Sequence, residues 1–304
     1  MSDNTLLSAE IKKLQKERNA IILAHNYQCP EVQDLADVIG DSLELARQAQ
    51  KTDADVIVFC GVDFMAETAS ILNPGKTVLM PAKEAQCPLA AMLPPDVIQV
   101  AKEKYPDAKV VMYVNTTAAA KTYADIICTS GNAVKVVESM ESDEILFAPD
   151  KNLAYYVQQR TKKKIIPIPN YGMCIVHDNI KPEYVKTIKK KYPNAKLTVH
   201  PECLPEVQEI ADHIGSTKGM MEYVKNDPSK EFIIGTEEGI IHRMKKEAPG
   251  KIFHPINPLP TCRNMKKTNI QNLYEALLDM KHEVKVPSKI ADKARKPIER
   301  MLNL

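Results

Sequence analysis

Cys87, Cys174 and Cys262 lie 87 and 88 residues apart, and none of them has a CxxC partner. The same step recurs in other residue types. Ser42, Ser130 and Thr217 are separated by 88 and 87 residues. They close three similar stretches: Ala36-Asp37-Val38-Ile39-Gly40-Asp41-Ser42, Ala124-Asp125-Ile126-Ile127-Cys128-Thr129-Ser130 and Ala211-Asp212-His213-Ile214-Gly215-Ser216-Thr217. Seventeen residues before each hydroxyl stands a polar side chain, with another two positions on: His25 and Tyr27, Tyr113 and Asn115, His200 and Glu202. Tyr105-Pro106-Asp107-Ala108-Lys109 also returns as Tyr192-Pro193-Asn194-Ala195-Lys196. The chain is a triplication, and its repeated residues are chemical ones. Each copy has a thiol able to bind metal as thiolate, a hydroxyl at a helix start, where anions bind, and polar groups able to move protons.

Parallel α/β units would bring these positions together. Ala20-Ile21-Ile22-Leu23-Ala24, Val110-Val111-Met112 and Leu197-Thr198-Val199 are short apolar runs of the kind buried in parallel sheets. Second strands are predicted at 56–59, 145–147 and 232–234, and third strands at 77–80, 165–166 and 252–253. Amphipathic helices fall between them, as over 64–72 and 96–104, and residues 5–18 predict an opening helix. Val32, Leu35, Ala36 and Ile39 read as one face of a short helix stopped by Gly40, and Asp41-Ser42-Leu43-Glu44 as the capping box of the next. The expected fold is α/β: three homologous three-layer α/β sandwich units with parallel sheets in a pseudo-threefold arrangement. Their bounds are 1–104 with the N-terminal helix, 105–191, and 192–304 with the C-terminal tail. Units this small are marginal alone, so they should pack closely. The tail after about residue 281 is basic and amphipathic, and is expected to cross onto another unit. Ligands of open parallel sheets collect beyond the carboxyl ends of the strands, so all three polar sets would face one central cavity.

A net charge of +2 excludes a general nucleic-acid binder. No apolar run approaches the ~20 residues of a membrane span. The opening MSDNTLLSAE lacks the basic and apolar regions of a signal peptide. Seven cysteines, an odd number in a chain too long to need a disulfide framework, fit reduced thiols in the cytoplasm.

Three thiolates on one axis form a trigonal metal platform. A structural zinc takes four ligands and would need a histidine as well. An electron-transfer iron–sulfur cluster takes four cysteines. On three, one iron of a [4Fe-4S] cluster stays open as a Lewis acid able to hold substrate oxygens. With three hydroxyl-bearing helix starts to receive carboxylates or phosphate, the pattern points to dehydratase-type chemistry on a polyanionic small molecule.

The set His25-Asn26-Tyr27, Asp41-Ser42, Tyr113-Val114-Asn115, Ser130, His200-Pro201-Glu202-Cys203 and Ser216-Thr217, with cysteines at 87, 174 and 262, resembles the quinolinate synthase family. The resemblance runs from about residue 18 to 280. It implies condensation of iminoaspartate (iminosuccinate) with dihydroxyacetone phosphate to quinolinate, phosphate and two waters, in NAD biosynthesis. It also implies a [4Fe-4S] cluster on three cysteines, here Cys87, Cys174 and Cys262. His25, Ser42, Tyr113, Asn115, Ser130, His200, Glu202 and Thr217 would bind carboxylates and phosphate. Glu202 is the expected general base. His25 joins it as a catalytic candidate, and Tyr27 and Tyr113 would act as acid or base if a neighbour lowers their pKa values. An L-aspartate oxidase or aspartate dehydrogenase is the implied functional partner, as the source of iminoaspartate. Some members carry a further CxxC near the last cluster cysteine; only Cys262 stands here, so no disulfide switch is expected. The rival readings are another three-cysteine [4Fe-4S] hydro-lyase acting on a polycarboxylate, and an iron–sulfur sensor without turnover.

The remaining titratable residues receive plainer readings. His177, His213, His242, His254 and His282 are expected to be structural, because they lack the repeated position. Cys29, Cys60, Cys128 and Cys203 are expected to be free thiols, Cys203 adjoining the site. Asp37, Asp125 and Asp212 recur and read as turn or cap residues. Ser42, Ser130 and Thr217 could themselves be helix caps. Met65-Ala66-Glu67 and Gly235-Thr236-Glu237 would line the cavity, the segment after Tyr27 would serve as a lid, and the lysine runs at 162–164 and 189–191 would be solvated.

Overall fold

The computed structural model describes residues 3–304. Among them, twelve strands form three four-stranded sheets, parallel throughout. The first holds β1 (Ala20–His25), β2 (Val38–Gly40), β3 (Val56–Cys60) and β4 (Thr77–Leu79). The second holds β5 (Lys109–Tyr113), β6 (Ile126–Cys128), β7 (Glu144–Ala148) and β8 (Lys164–Pro167). The third holds β9 (Lys196–Val199), β10 (His213–Ile214), β11 (Glu231–Gly235) and β12 (Ile252–Pro255). All share one order, β2-β1-β3-β4, β6-β5-β7-β8 and β10-β9-β11-β12. A continuous apolar core runs through them, from Leu23 and Ile57 through Val111 and Phe147 to Phe232 and Ile234.

The short edge strands β2, β6 and β10 differ from the sequence reading, which gave the first of these stretches to a helix. The helix that contains Val32 and Leu35 is Pro30–Leu35, with proline at its first position. Asp37 then reverses the pattern. Its Oδ2 accepts the N–H of Ile22 at 2.7 Å, and its own N–H donates to Ile22 O at 2.9 Å. Asp125 makes both bonds with Val110, and Asp212 makes both with Leu197, at 2.8 and 2.9 Å in each case. This two-way clasp fixes where the edge strand joins the sheet. A helix continued through Ala36 would forfeit both bonds. The three aspartates thus hold the turns, as expected.

The units close on one another as a ring. Gln33, Lys121 and Gln208 stand at the 88- and 87-residue step, each buried and each facing the turn that follows its own central strand. Gln33 Nε2 donates to Gln28 O at 2.8 Å and on to Gly239 O of the third unit at 2.8 Å. Gln208 Nε2 donates to Cys203 O at 2.8 Å and on to Asn152 O of the second unit at 3.2 Å. Lys121 Nζ donates to Val114 O at 2.9 Å and to Thr116 O, and it lies 5.5 Å from the ring centroid of Phe64 in the first unit. First to third, third to second and second to first, the contacts form a cycle that closes after three steps.

The C-terminal region straps this ring. Helix Ile270–Asp279 packs on the opening helix Asp3–Glu17, Val284 N donates to Val78 O at 2.8 Å beside β4, and helix Ser288–Leu302 lies against β6. The tail therefore crosses onto the first and second units. Among the described residues, no helix is long and apolar enough to cross a membrane.

Lys121 carries a charge where the other units carry a neutral amide. Burial lowers its pKa from 10.5 to about 8, although Glu67 and Asp63 oppose this. The folded chain therefore releases this proton earlier than the unfolded chain does. Between those two values the unfolded state binds more protons, and Lys121 contributes stability that rises with pH. Denaturant unfolding should find wild type gaining on Lys121→Gln between about pH 8 and 10.5. Lys121→Ala should cost about 2 kcal/mol, because the strand-end carbonyls lose their donor.

Candidate active site

A cavity of about 700 Å³ opens at the carboxyl ends of the central strands, with walls from all three units. His25 and Tyr113 are the last residues of β1 and β5, and His200 follows the last residue of β9. These three reach the cavity together with Tyr27, Asn115 and Glu202, and with Ser42, Ser130 and Thr217. The hydroxyls are not helix caps, for the caps are other residues. Asp41 caps helix Ser42–Lys51 with a full capping box, and Ser216 caps helix Thr217–Asn226. Ser42 and Thr217 thus occupy first helical positions and are free to meet a ligand. Thr217 Oγ1 accepts from Asn26 Nδ2 at 2.8 Å, which leaves its own proton to donate.

Cys87, Cys174 and Cys262 line the same cavity. Cys87 and Cys174 are N-cap residues of the short helices Pro88–Ala91 and Ile175–Asp178, and Cys262 precedes the 3-10 helix Met265–Lys267. The backbone amides of Ala90, His177 and Met265, three residues on in every case, face the sulfurs and favour thiolate. Burial works against them and pushes all three thiols up. The backbone passes tightly at the second cysteine: a Cβ on Gly172 would lie 1.9 Å from Pro149 O, so only glycine fits two residues before Cys174. Three half-buried thiols faced by amides would lose their protons readily to a bound metal. Cys174 Sγ, a nitrogen of His177 and an oxygen of Glu202 also lie within 4.8 Å of one another. The three cysteine thiols lining one cavity are a soft donor set that fits an iron–sulfur group.

Glu202 is 3% exposed and is the electrostatic centre of the cavity. Its Oε2 lies 2.9 Å from His177 Nδ1 and 3.2 Å from His200 Nδ1. Burial opposes its charge, but the two imidazoles outweigh burial and hold the carboxyl well below the usual carboxylate range. Glu202 Oε1 and Asn115 Oδ1 are buried acceptors without a partner, both at the cavity. Polar contacts continue outward on both sides. His177 Nε2 is 2.8 Å from Thr236 Oγ1, which is 2.6 Å from the Tyr27 hydroxyl; His200 Nε2 is 3.2 Å from Ser130 Oγ. Burial lowers the His25 pKa to about 3, with His200 adding to it, so that ring is neutral.

Several expectations need correction. His177 is not a peripheral structural residue; it stacks on His200 at 4.6 Å and stands 3.1 Å from Cys174 Sγ. Spacing could not find it, because the residues three past the other cysteines are Ala90 and Met265. Tyr27 and Tyr113 have raised rather than lowered pKa values, by burial first and Glu202 second, so both are phenol donors. The turn after Tyr27 is pinned rather than free: Lys266 Nζ donates to Tyr27 O at 2.7 Å, and Gln28 is buried. Met65 and Glu237 line the cavity, whereas Glu67 turns aside and accepts the Ala118 N–H at 2.8 Å.

The other residues follow the plainer readings. Cys60, Cys128 and Cys203 are buried free thiols and Cys29 is a half-buried one. His213 stacks on Tyr223, His254 stacks on Tyr192, His242 meets Asp34, and His282 meets Pro81 O.

The quinolinate synthetase A protein family matches residues 9–303. A quinolinate synthase of Pyrococcus horikoshii is 56% identical over 298 residues, covering 98% of this chain and 99% of that protein. One from Methanoregula boonei is 52% identical over all of both chains, and one from Alkaliphilus metalliredigens is 48% identical over 99% of each. With a cavity walled by all three units, three thiols lining it and a family match of nearly full length, the chain belongs to the quinolinate synthetase A protein family.

Proposed function

We propose that this chain condenses iminoaspartate with dihydroxyacetone phosphate to quinolinate, releasing phosphate and two waters, with a [4Fe-4S] cluster on Cys87, Cys174 and Cys262. The observation that carries this reading is the buried Glu202, flanked by two imidazoles and lying beside Cys174 in a cavity of repeated polar groups. When bound, the cluster supplies an open Lewis-acidic iron for substrate oxygens. The remaining steps fall to the chain's own residues. Ser42 and Thr217, at helix starts, receive carboxylate or phosphate oxygens. Neutral His25 and the Tyr113 phenol orient them without adding charge. The unpartnered Asn115 Oδ1 suits the N–H of an imine or enamine, since a buried acceptor needs a donor.

Imine–enamine tautomerisation takes a proton from carbon, and Glu202, ionised and open at Oε1, is placed to accept it. His177 and Thr236 connect that carboxylate to the Tyr27 hydroxyl, a path by which a proton can return to a departing oxygen. The same reading divides the chain at 1–104, 105–191 and 192–304, and puts it in the cytoplasm. There an L-aspartate oxidase or aspartate dehydrogenase would supply iminoaspartate.

Protein purified without oxygen should contain about four irons and four sulfides per chain, and should form quinolinate from the two substrates. Cys174→Ser should lose both the metal and the product. A full cluster without quinolinate would favour another hydro-lyase or a sensor, and no cluster after reconstitution would overturn the metal reading. Glu202→Gln should lower kcat by about 10²–10⁴-fold with iron content retained. Undiminished turnover in that variant would remove Glu202 from the base role.

A further inference from the structure

A second triplet recurs at steps of 87 and 87 residues: Asp63, Asp150 and Glu237. Each stands just after the second strand of its unit, β3, β7 or β11, where a helix or turn begins. Each accepts a hydrogen bond from the backbone amide of that unit's cavity cysteine. Cys87 N donates to Asp63 Oδ1 at 2.9 Å, Cys174 N to Asp150 Oδ2 at 2.9 Å, and Cys262 N to Glu237 Oε1 at 3.0 Å. Each also accepts an amide from its own turn: Phe64 N at 2.9 Å, Leu153 N at 2.8 Å and Gly239 N at 2.8 Å. Helix capping alone would use only the second kind of bond.

We propose that Asp63, Asp150 and Glu237 are positioning residues that hold the backbone of the three metal-binding cysteines, each bridging a cysteine amide to the amide of a neighbouring turn. The inference rests on the cluster reading above. A carboxylate suits the task because it only accepts, and its two oxygens can serve two N–H groups at once. A parallel backbone bond supports each loop, from Asp63 N to Ala85 O, Lys151 N to Gly172 O, and Glu238 N to Pro260 O, at 2.9, 2.9 and 3.0 Å. The third anchor does more than the others. Glu237 Oε1 also meets Lys266 Nζ at 3.0 Å, and that ammonium donates to Tyr27 O at 2.7 Å. The Cys262 loop is thereby tied to the strand-end turn of the first unit.

The oxygen count separates two of the anchors. Asp63 serves both amides through Oδ1 alone, so the amide oxygen of Asp63→Asn can replace it. Asp150 uses both oxygens, so Asp150→Asn sets an NH₂ group against an N–H and loses one bond. Full-length wild type and both variants, loaded with iron and sulfide without oxygen, would be challenged with an iron chelator. Asp150→Asn should release iron about 10–100-fold faster than wild type, and Asp63→Asn should release it at close to the wild-type rate. Equal effects in the two variants, or wild-type release from Asp150→Asn, would overturn the proposal.

A second measurement reads amide hydrogen exchange at Cys87, Cys174 and Cys262 in the full wild-type chain stripped of iron. Slow exchange is expected, and exchange at the rate of free peptide would overturn the proposal. This arm decides the matter even if Asp150→Asn fails to fold. A wild-type chain that takes up no iron would remove the cluster reading, while the exchange result would still judge the three carboxylates.

Discussion

Polar strand ends buried at a shared centre must find every hydrogen-bond partner within the chain, and the rest of this structure depends on meeting that condition. Three sheets point their carboxyl ends inward, so the carbonyls of three turns lie beyond the reach of bulk water. Gln33, Lys121 and Gln208 meet the need with one device used three times. Two of them also reach the next unit, so the interior is satisfied and the ring is held together by the same side chains. None of the units presents a bare interface, because a heterologous contact repeated around a threefold closes on itself.

Within that common frame, side chains differ where chemistry requires it. The position two residues past each central polar group is Tyr27, Asn115 or Glu202: a donor, an unpartnered acceptor and a carboxylate. Triplication fixed where groups would meet, and later divergence made the cavity unsymmetrical enough to hold an unsymmetrical ligand. His177 is the clearest case, an imidazole at a position occupied elsewhere by Ala90 and Met265.

Much of this architecture is legible in the sequence. The 87–88-residue step located the three cysteines, the three hydroxyls and the strand-end groups, because a repeat carries its own register from copy to copy. The central strands were legible as apolar runs for the same reason that parallel strands are buried on both faces. The edge strands were not. Three residues such as Val38–Gly40 are too few to show a period, and their apolar positions merge with those of the preceding helix. Electrostatics also stayed hidden: only the packing of His200 and His177 around Glu202 sets its ionisation, and only burial raises Tyr27 and Tyr113. The anchoring carboxylates lay within reach of the spacing argument. Asp63, Asp150 and Glu237 keep the step, but one aspartate-to-glutamate change blurs the match by eye.

The strap has a consequence for how the protein is made. Helix Ser288–Leu302 buries Ala294, Ile298 and Met301, and it lies against β6, which was synthesised some 160 residues earlier. A chain still emerging from the ribosome carries its first two sheets complete but leaves that apolar face uncovered, and it lacks the third cavity thiol until residue 262 is added. The residues of the ring contacts and the three cavity thiols are all present once residue 262 is added, before that helix is made. Helix Ser288–Leu302 is therefore a late cover over an apolar face that the first two units share.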